Sequence, residues 1–408
     1  MKKATNRISR RRFIKTAGAA GLGAAMSPLA AREPGHAAAA AQAAGPAGVP
    51  TRPFGRSAIE VPILSLGGMF DIPSNQNMLK QAVRWGVTYW DTAHIYSGGR
   101  SEEGIGQYFQ RYPKDRQKIF LVTKSTSRSQ RGMSRDLATS LKRMNTDYID
   151  LFFVHAIRDA AVMDNDMRRW GEQQKAAGKI RLFGFSTHSN MQQCLLDAAR
   201  LDWIDGIMMT YNFRLMHEAN MKRAVDACVD AGIGLTAMKT QGGGAVTTAT
   251  AQDLKLAGRF VQKGFTDKQA KLKAVWENPQ ISAICSQMPT MSILMANIAA
   301  AVDRTSLTEN DRRHLERYAS DTFSHYCAGC TQICENAVTG NIPVGDVMRY
   351  LMYAHSYGDT HDAKRRFAAI SRTTRQQLMR QDYTLAESRC PRGLPIARLM
   401  RKALEELG

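Results

Sequence analysis

The sequence has no apolar run long enough to cross a membrane as a helix, and it has few acidic residues for its size. The longest weakly apolar stretch, TAGAAGLGAAMSPLAA at 16–31, is rich in glycine. It is shorter than the roughly 20 apolar residues that a membrane span needs, so we expect no stable membrane insertion. Apolar residues nevertheless make up 44% of the 408 residues, which is ample for a buried core.

The shortage of acidic residues gives the chain a net charge of +20, with 36 Asp and Glu against 56 Lys and Arg. Eight of those basic residues lie in 1–41, opposite a single acid. The others form no basic stripe of the kind that a nucleic-acid surface needs. We therefore expect no nucleic-acid partner.

The N-terminal segment SRRRFIK at 9–15 resembles a twin-arginine export signal through its paired Arg10 and Arg11. The resemblance implies passage through the twin-arginine translocase in a folded state and a periplasmic or other extracytoplasmic location. A disordered basic tail is the alternative. We assign 1–41 to the signal region and the small-residue stretch 42–51 to a linker.

From residue 52 to 303, apolar runs alternate with amphipathic segments. Runs rich in Val, Ile, Leu and Phe are typical of strands buried on both faces of a parallel sheet. Eight runs fit this pattern: 62–68, 88–93, 119–125, 149–156, 180–188, 206–212, 234–240 and 281–288. Eight strand–helix units over about 250 residues predict the α/β class and a (β/α)8 TIM barrel. An open doubly wound sheet is disfavoured because no G-x-G-x-x-G follows a strand.

Several strands end at a polar residue, and the carboxyl ends of barrel strands carry the chemistry in such folds. The residues are Asp91, Lys124, His155, Ser186 and Asn212. Tyr96 follows Asp91 closely. Tyrosine titrates near pH 10, and a neighbouring ammonium lowers that pKa by stabilising phenolate. We predict that Lys124 acts on Tyr96 in this way and that Asp91 holds Lys124. His155 is then placed to orient a carbonyl oxygen.

Three segments resemble the signature segments of the aldo/keto reductase family: DTAHIYSGGRSEEGIG at 91–106, LVTKS at 121–125 and LFFVHA at 151–156. The resemblance covers 52–303. It implies an NAD(P)-dependent oxidoreductase that acts on a small carbonyl or alcohol, sugars included. It implies a catalytic tetrad of Asp91, Tyr96, Lys124 and His155, in which Tyr96 donates or accepts the proton.

The same resemblance implies the positions that bind the nicotinamide cofactor: Ser186, Thr187, Asn212, Met238 and Asn297. Thr187 stands where the family has Asn, and Asn212 where it has Gln. Met238, or Lys239 beside it, replaces an aromatic stacking partner. The segment 286–297 lacks the basic pair that binds the extra phosphate of NADP, so we expect NAD or NADP that is tightly bound.

Four of the seven cysteines cluster in a C-terminal region, 304–408, that is predicted to be helical: Cys327, Cys330, Cys334 and Cys390. Closely spaced cysteines followed by a remote Cys-Pro are typical of ferredoxin-type sites. We predict one 4Fe-4S cluster in a ferredoxin-like domain, and some aldo/keto reductases carry such an extension. A zinc site or two disulfides remain open. Cys194, Cys228 and Cys285 are predicted to be buried core thiols.

Two hypotheses of function follow. The first is an exported oxidoreductase that passes electrons through its cluster to a partner protein. The second is a non-catalytic binding or electron-relay protein that uses the barrel as a scaffold, with a structural metal or disulfides. A complete tetrad favours the first hypothesis.

Overall fold

Eight parallel strands close into a barrel in the computed structural model, which describes residues 48–246 and 266–408. The predicted signal region 1–41 and most of the predicted linker 42–51 lie outside the described residues. Numbered in chain order, the strands are β1 (Thr51–Pro53), β2 (Glu60–Pro62), β3 (Leu64–Gly67), β4 (Tyr89–Asp91), β5 (Phe120–Ser125), β6 (Ile149–Ile157), β7 (Ile180–Thr187), β8 (Gly206–Thr210), β9 (Gly234–Met238) and β10 (Ala283–Gln287).

Strands β3 to β10 form the barrel, and each pairs in parallel with its neighbour along the chain. The barrel closes where β10 pairs with β3, with Cys285 opposite Ser65. All eight predicted strands are confirmed, with ends within two residues of the predicted ones. In a closed barrel surrounded by helices each strand is buried on both faces, which the continuous apolar runs allow.

The short antiparallel hairpin β1–β2 lies at the amino ends of the strands. Phe54, at its turn, is fully buried and packs against the first residues of two strands, Gly206 and Gly234. A Cβ atom at either glycine would overlap the Phe54 ring, so these positions need glycine. The hairpin therefore closes the end of the barrel opposite the predicted site.

Helices surround the barrel and continue beyond it. Those interleaved with the strands are α1 (Gln76–Arg84), α2 (Arg100–Arg111), α3 (Gln130–Met144), α4 (Asn165–Ala176), α5 (Met191–Ala198), α6 (Ala219–Asp230), α7 (Asp267–Trp276) and α8 (Met291–Val302). Those that follow are α9 (Glu309–Asp321), α10 (Thr331–Glu335), α11 (Val344–Tyr357), α12 (Thr360–Ala368), α13 (Arg372–Arg380), α14 (Thr384–Arg389) and α15 (Ile396–Leu407). Short 3-10 turns lie at Pro73–Asn75, Tyr96–Gly99, Pro113–Lys118, Ala160–Val162 and Phe323–His325.

The C-terminal helices have a hydrophobic core of their own, in which Val347, Met348 and Leu351 of α11 are buried. Ala245, from the loop after β9, belongs to the same core. The helices therefore pack on the barrel rather than standing apart, and Pro46–Gly408 forms one compact unit. The domain boundary at 303/304 stays a prediction. Across residues 48–246 and 266–408, no helix combines the length and apolar character needed to span a bilayer.

Candidate active site

The four tetrad residues come from three adjacent strands and the turn after the first. Asp91 is the last residue of β4, and Tyr96 opens the 3-10 turn that follows. Lys124 lies near the end of β5, opposite Phe153 of β6, and His155 follows two residues later on β6. Because neighbouring parallel strands end on the same side, the three strands bring these side chains to one rim of the barrel.

Lys124 and Asp91 form a buried ion pair. The Lys124 Nζ atom donates to Asp91 Oδ1 at 2.6 Å and to the Thr92 carbonyl oxygen at 2.7 Å. The two charged side chains are 1% and 3% exposed. Burial lowers the pKa of Lys124, but Asp91, together with Tyr96 and Cys285, raises that pKa overall, so the ammonium stays charged. The predicted pairing is present.

Tyr96 lies between Lys124 and His155. The Lys124 ammonium is 5.1 Å from the centre of the Tyr96 ring, and the His155 ring meets it edge-on at 5.7 Å. Burial raises the pKa of Tyr96 to about 12, although Lys124 acts to lower it. The predicted lowering of this pKa is therefore wrong: the cation acts in the expected direction, but loss of hydration is the larger effect.

His155 is neutral and has an unused hydrogen-bonding atom. Its side chain is 8% exposed, and its Nδ1 atom has no partner among the described residues. Burial and the charge of Lys124 hold the pKa of His155 well below its ordinary value. A buried polar atom without a partner is costly, so its presence marks a position where a ligand can bind.

Three non-glycine residues at the rim adopt left-handed backbone conformations. Ser97, next to Tyr96, has φ 51°, Ala156, next to His155, has φ 53°, and Lys239 has φ 56°. Each such residue costs about 1–2 kcal/mol and persists only where the surroundings enforce it. Three other described residues, Ala58, Asn145 and Asn190, share this conformation, so half of the strained positions lie beside the tetrad or at the end of β9.

The predicted cofactor residues differ in whether their side-chain hydrogen-bonding groups are free or already used within the protein. The Ser186 hydroxyl accepts a hydrogen bond from the Ala156 N–H at 2.9 Å, which leaves its own hydrogen free. Thr187 already bonds the Ile157 and Ser189 carbonyl oxygens. Ser186 is thus able to bind a ligand, and Thr187 is committed to the fold.

The side chain of Asn212 makes three hydrogen bonds within the protein. Its Nδ2 atom donates to the Lys239 carbonyl oxygen at 3.2 Å and to the Tyr326 hydroxyl at 3.0 Å. Its Oδ1 atom accepts from the Arg214 N–H at 3.0 Å. Both amide hydrogens are used, so Asn212 has none left for a carboxamide. The nicotinamide site predicted from sequence is therefore only partly open at this position.

The remaining predicted cofactor residues lie at other parts of the rim. Met238 ends β9 and is partly exposed. Asn297, on α8, donates from Nδ2 to the Ser286 hydroxyl at 3.0 Å, which ties α8 to the end of β10. Its Oδ1 atom is still able to accept a hydrogen bond.

Cys285 belongs to the site and was not identified from sequence. It lies on β10 and its thiol adjoins the Asp91 carboxylate. Burial, followed by the charge of Asp91, raises the pKa of Cys285 well above its ordinary value. The prediction of a core thiol holds for Cys194 and Cys228, which are buried in helices. Cys285 differs because its position near the end of a barrel strand places it beside the tetrad.

The four clustered cysteines line one pocket. Its volume is about 370 Å³, and the lining includes Cys327, Cys330, Cys334 and Cys390, with Arg392 beside them. All seven cysteines, each within the described ranges, are unbridged. Burial raises the pKa of Cys327 to about 12. A group that prefers thiolate ligands would reverse this shift on binding.

Among residues 48–246 and 266–408, no three His, Cys, Asp or Glu side chains lie close enough to bind a single metal ion. A zinc ion needs all its thiolates about 2.3 Å away. A 4Fe-4S cluster at these cysteines stays a prediction.

Residues 64–308 match the sequence profile of the Aldo/keto reductase family. The chain is 30% identical over 222 residues to aldo-keto reductase yakc [NADP(+)] of Schizosaccharomyces pombe, covering 49% of this chain and 64% of that protein. It is 25% identical over 275 residues to the uncharacterized oxidoreductase YrpG of Bacillus subtilis, covering 56% of this chain and 84% of YrpG.

The chain spans only 47% and 64% of the lengths of the first two curated relatives that it matches. A solved aldo-keto reductase from Bacillus halodurans, in its holo form, matches 65% of this chain and 95% of its own with a TM-score of 0.55. Its sequence identity is 21%, so it supports the barrel fold alone. The family profile covers more than half of the chain and includes Asp91, Tyr96, Lys124 and His155. The chain therefore belongs to the aldo/keto reductase family.

Proposed function

We propose that this chain is an exported oxidoreductase of the aldo/keto reductase type. It transfers hydride between NAD or NADP and a small carbonyl or alcohol, with sugars as one class of substrate. One 4Fe-4S cluster carries electrons to a partner protein. The observation that supports this most strongly is Tyr96 packed between the charged Lys124 and the neutral His155.

The tetrad supplies the proton chemistry. A nicotinamide ring, when bound, exchanges a hydride with the substrate carbon. Tyr96 gives its proton to the carbonyl oxygen, and the ammonium of Lys124 stabilises the phenolate that results. Neutral His155 donates a hydrogen bond to the same oxygen. Burial raises the pKa of Tyr96 to about 12, so its hydroxyl is protonated at neutral pH and is available as the proton donor.

Three predicted residues fit a nicotinamide cofactor: Ser186 through its free hydroxyl hydrogen, Met238 through its partly exposed side chain and Asn297 through Oδ1. The C-terminal helices contact the loop that follows β9. Ser356, on α11, donates to the Gly244 carbonyl oxygen of this loop at 2.7 Å. A dinucleotide beneath this contact would exchange slowly. We therefore propose a tightly bound cofactor.

The cluster proposal is supported by the four unbridged cysteines around one pocket. A cluster transfers one electron at a time, so electrons would leave singly for a separate protein. Export by the twin-arginine translocase is compatible with a cluster because that route carries folded proteins.

The experiment is an anaerobic purification of the exported full-length protein, followed by metal and sulfide analysis, visible spectroscopy and nucleotide extraction. We expect about four iron and four sulfide per chain and a nucleotide that co-purifies. Cys327→Ser should lose the visible absorption, whereas Cys194→Ser, a buried thiol outside the cluster of four, should keep it. One zinc per chain, or neither metal, would contradict the cluster.

A non-catalytic binding or electron-relay protein is the second candidate. One observation favours it: the amide hydrogens of Asn212 are used by Lys239 and Tyr326 rather than left for a cofactor. The wild-type protein separates the two candidates. Turnover of an aldehyde with reduced nicotinamide supports the enzyme, and ligand binding without turnover supports the binder.

A further inference from the structure

We propose that a cavity between the barrel rim and α11 binds the anionic group of the substrate, a carboxylate or a phosphate, through Lys239 and Arg349. The inference rests on the proposed function, because it assigns the substrate class for the same site. The substrate is then a carbonyl or alcohol compound that carries a negative charge.

The cavity encloses about 420 Å³ of empty space, part of which is open to solvent. The barrel contributes His188, Thr210 and Lys239, which lie at or just after the ends of three successive strands. The helical region contributes Arg349 and Tyr326 from the opposite side. A ligand there would contact the barrel and the helices at once.

Lys239 has no carboxylate partner within the described part of the chain. Its Nζ atom donates to the Tyr353 hydroxyl at 3.1 Å and lies 4.4 Å from the centre of that ring. No carboxylate of residues 48–246 or 266–408 forms an ion pair with it. Burial, together with the charges of Arg349 and Arg366, lowers the pKa of Lys239. An anion in the cavity would supply the missing partner.

Arg349, on α11, has one hydrogen-bond donor without a partner among the described residues. Its Nη2 atom bonds Asp346 Oδ1 at 2.6 Å, but its Nε atom is buried without a partner. Asp346 also pairs with Arg158, so one carboxylate serves two guanidinium groups. Planar guanidinium donors match carboxylate and phosphate oxygens well.

The charge around Tyr353 is positive overall. Burial alone would raise the pKa of Tyr353, yet it is lowered because Lys239, Arg349 and Arg366 outweigh that effect. Arg366 pairs with Asp362, which also pairs with Arg365. The cations therefore outnumber the acids that neutralise them. A phenol inside such a field indicates an environment built for negative charge.

This cavity is within electrostatic reach of the tetrad. The charges of Arg366 and Arg349 contribute to the lowered pKa of His155, and Tyr353 acts on Tyr96. Lys239 directly follows β9, whose carboxyl end lies on the same barrel rim as the ends of β4, β5 and β6, so an anionic group bound by Lys239 would lie on the rim that carries the tetrad. The cofactor's own phosphates are the other possible source of the anion, and the experiment separates the two.

The test compares two aldehydes that differ in charge, para-carboxybenzaldehyde and para-methylbenzaldehyde, as substrates of the full-length protein with reduced nicotinamide. We expect a higher kcat/KM for the carboxylate. Lys239→Met should lower the ratio of the two kcat/KM values about 10- to 100-fold, the value of a charge-assisted hydrogen bond. Lys239→Arg should keep most of the ratio, and Lys222→Met, which removes an exposed lysine on α6, should keep all of it.

Calorimetric titration with para-hydroxymethylbenzoate and with inorganic pyrophosphate completes the test. An unchanged ratio in Lys239→Met overturns the proposal, as does a loss confined to pyrophosphate and dinucleotide binding. If neither aldehyde is reduced, the proposed function fails. In that case, weaker binding of para-hydroxymethylbenzoate to Lys239→Met still supports the anion site, and unchanged binding overturns it.

Discussion

The ammonium of Lys124 donates a hydrogen bond to Asp91 at 2.6 Å, in a position where both side chains are nearly excluded from solvent. A buried charge is tolerated only when it is paired, so each residue depends on the other. The pair fixes the ammonium 5.1 Å from the ring of Tyr96. The electrostatics of the site therefore depend on an ion pair that also contributes to the fold.

Asp91→Asn tests that dependence. Leaving Lys124 without its carboxylate should lower the free energy of unfolding by about 3–5 kcal/mol, measured by chemical denaturation. Glu172→Gln, which breaks an exposed pair with Arg168, should cost less than about 1 kcal/mol. Equal and small losses in the two variants would contradict a buried, mutually dependent pair.

His155 should make stability depend on pH. The pKa of His155 in the folded state lies well below the unfolded value of about 6.5. The unfolded chain therefore takes up a proton first, so this contribution is present above pH 6.5 or so and is lost as the pH falls toward the folded pKa. The slope is at most about 1.4 kcal/mol per pH unit for one proton.

Denaturation curves at several pH values check this expectation. His155→Gln should flatten the dependence of the unfolding free energy on pH below neutrality. His361→Gln, which replaces an exposed histidine on α12, should leave it unchanged. A wild-type slope that persists in His155→Gln would mean that another group is responsible.

Tyr326→Phe should destabilise the contact between the helical region and the barrel. The substitution removes the hydroxyl that accepts from Asn212 and leaves an amide hydrogen buried without a partner. The expected loss is about 1–3 kcal/mol, seen as a lower thermal midpoint. No change in the midpoint would show that water replaces the hydroxyl and that the contact is unimportant.

Gly244→Ala probes the same contact from the loop after β9. A Cβ atom at Gly244 would overlap the carbonyl oxygen of His325, which is backbone and has little freedom to move. We expect a loss of about 1–3 kcal/mol. Gly48→Ala is the matched control, since nothing lies within 4 Å of its Cβ position. Thermal unfolding of both variants distinguishes a specific clash from a general effect of alanine.

The barrel could be predicted because each of its strands is encoded by a short apolar run, and this local pattern is repeated eight times. Each strand is an apolar run, and each tetrad residue from a strand lies at or near the end of such a run. The exact start of α3 could not be read from the sequence: Ser129 caps the helix through the Gly132 N–H, but Ser134, five residues later, is the same residue type. Both serines suit a cap, and tertiary packing decides between them.

The contacts between the barrel and the C-terminal helices could not be predicted. Tyr326 bonds Asn212, and Tyr353 bonds Lys239, across 114 residues in each case. No periodic pattern encodes such a pairing. The pKa of Tyr96 was missed for a related reason, since sequence gives the neighbouring cation but not the extent of burial.

The most direct test of the account is turnover by Tyr96→Phe. The full-length protein is assayed with reduced nicotinamide and a small aldehyde, beside Tyr112→Phe, which removes a hydroxyl outside the tetrad. The account predicts that kcat/KM falls about 10²- to 10⁴-fold in Tyr96→Phe, with stability and ligand binding retained, and stays at the wild-type value in Tyr112→Phe. Wild-type turnover in Tyr96→Phe would contradict the assignment of the proton donor.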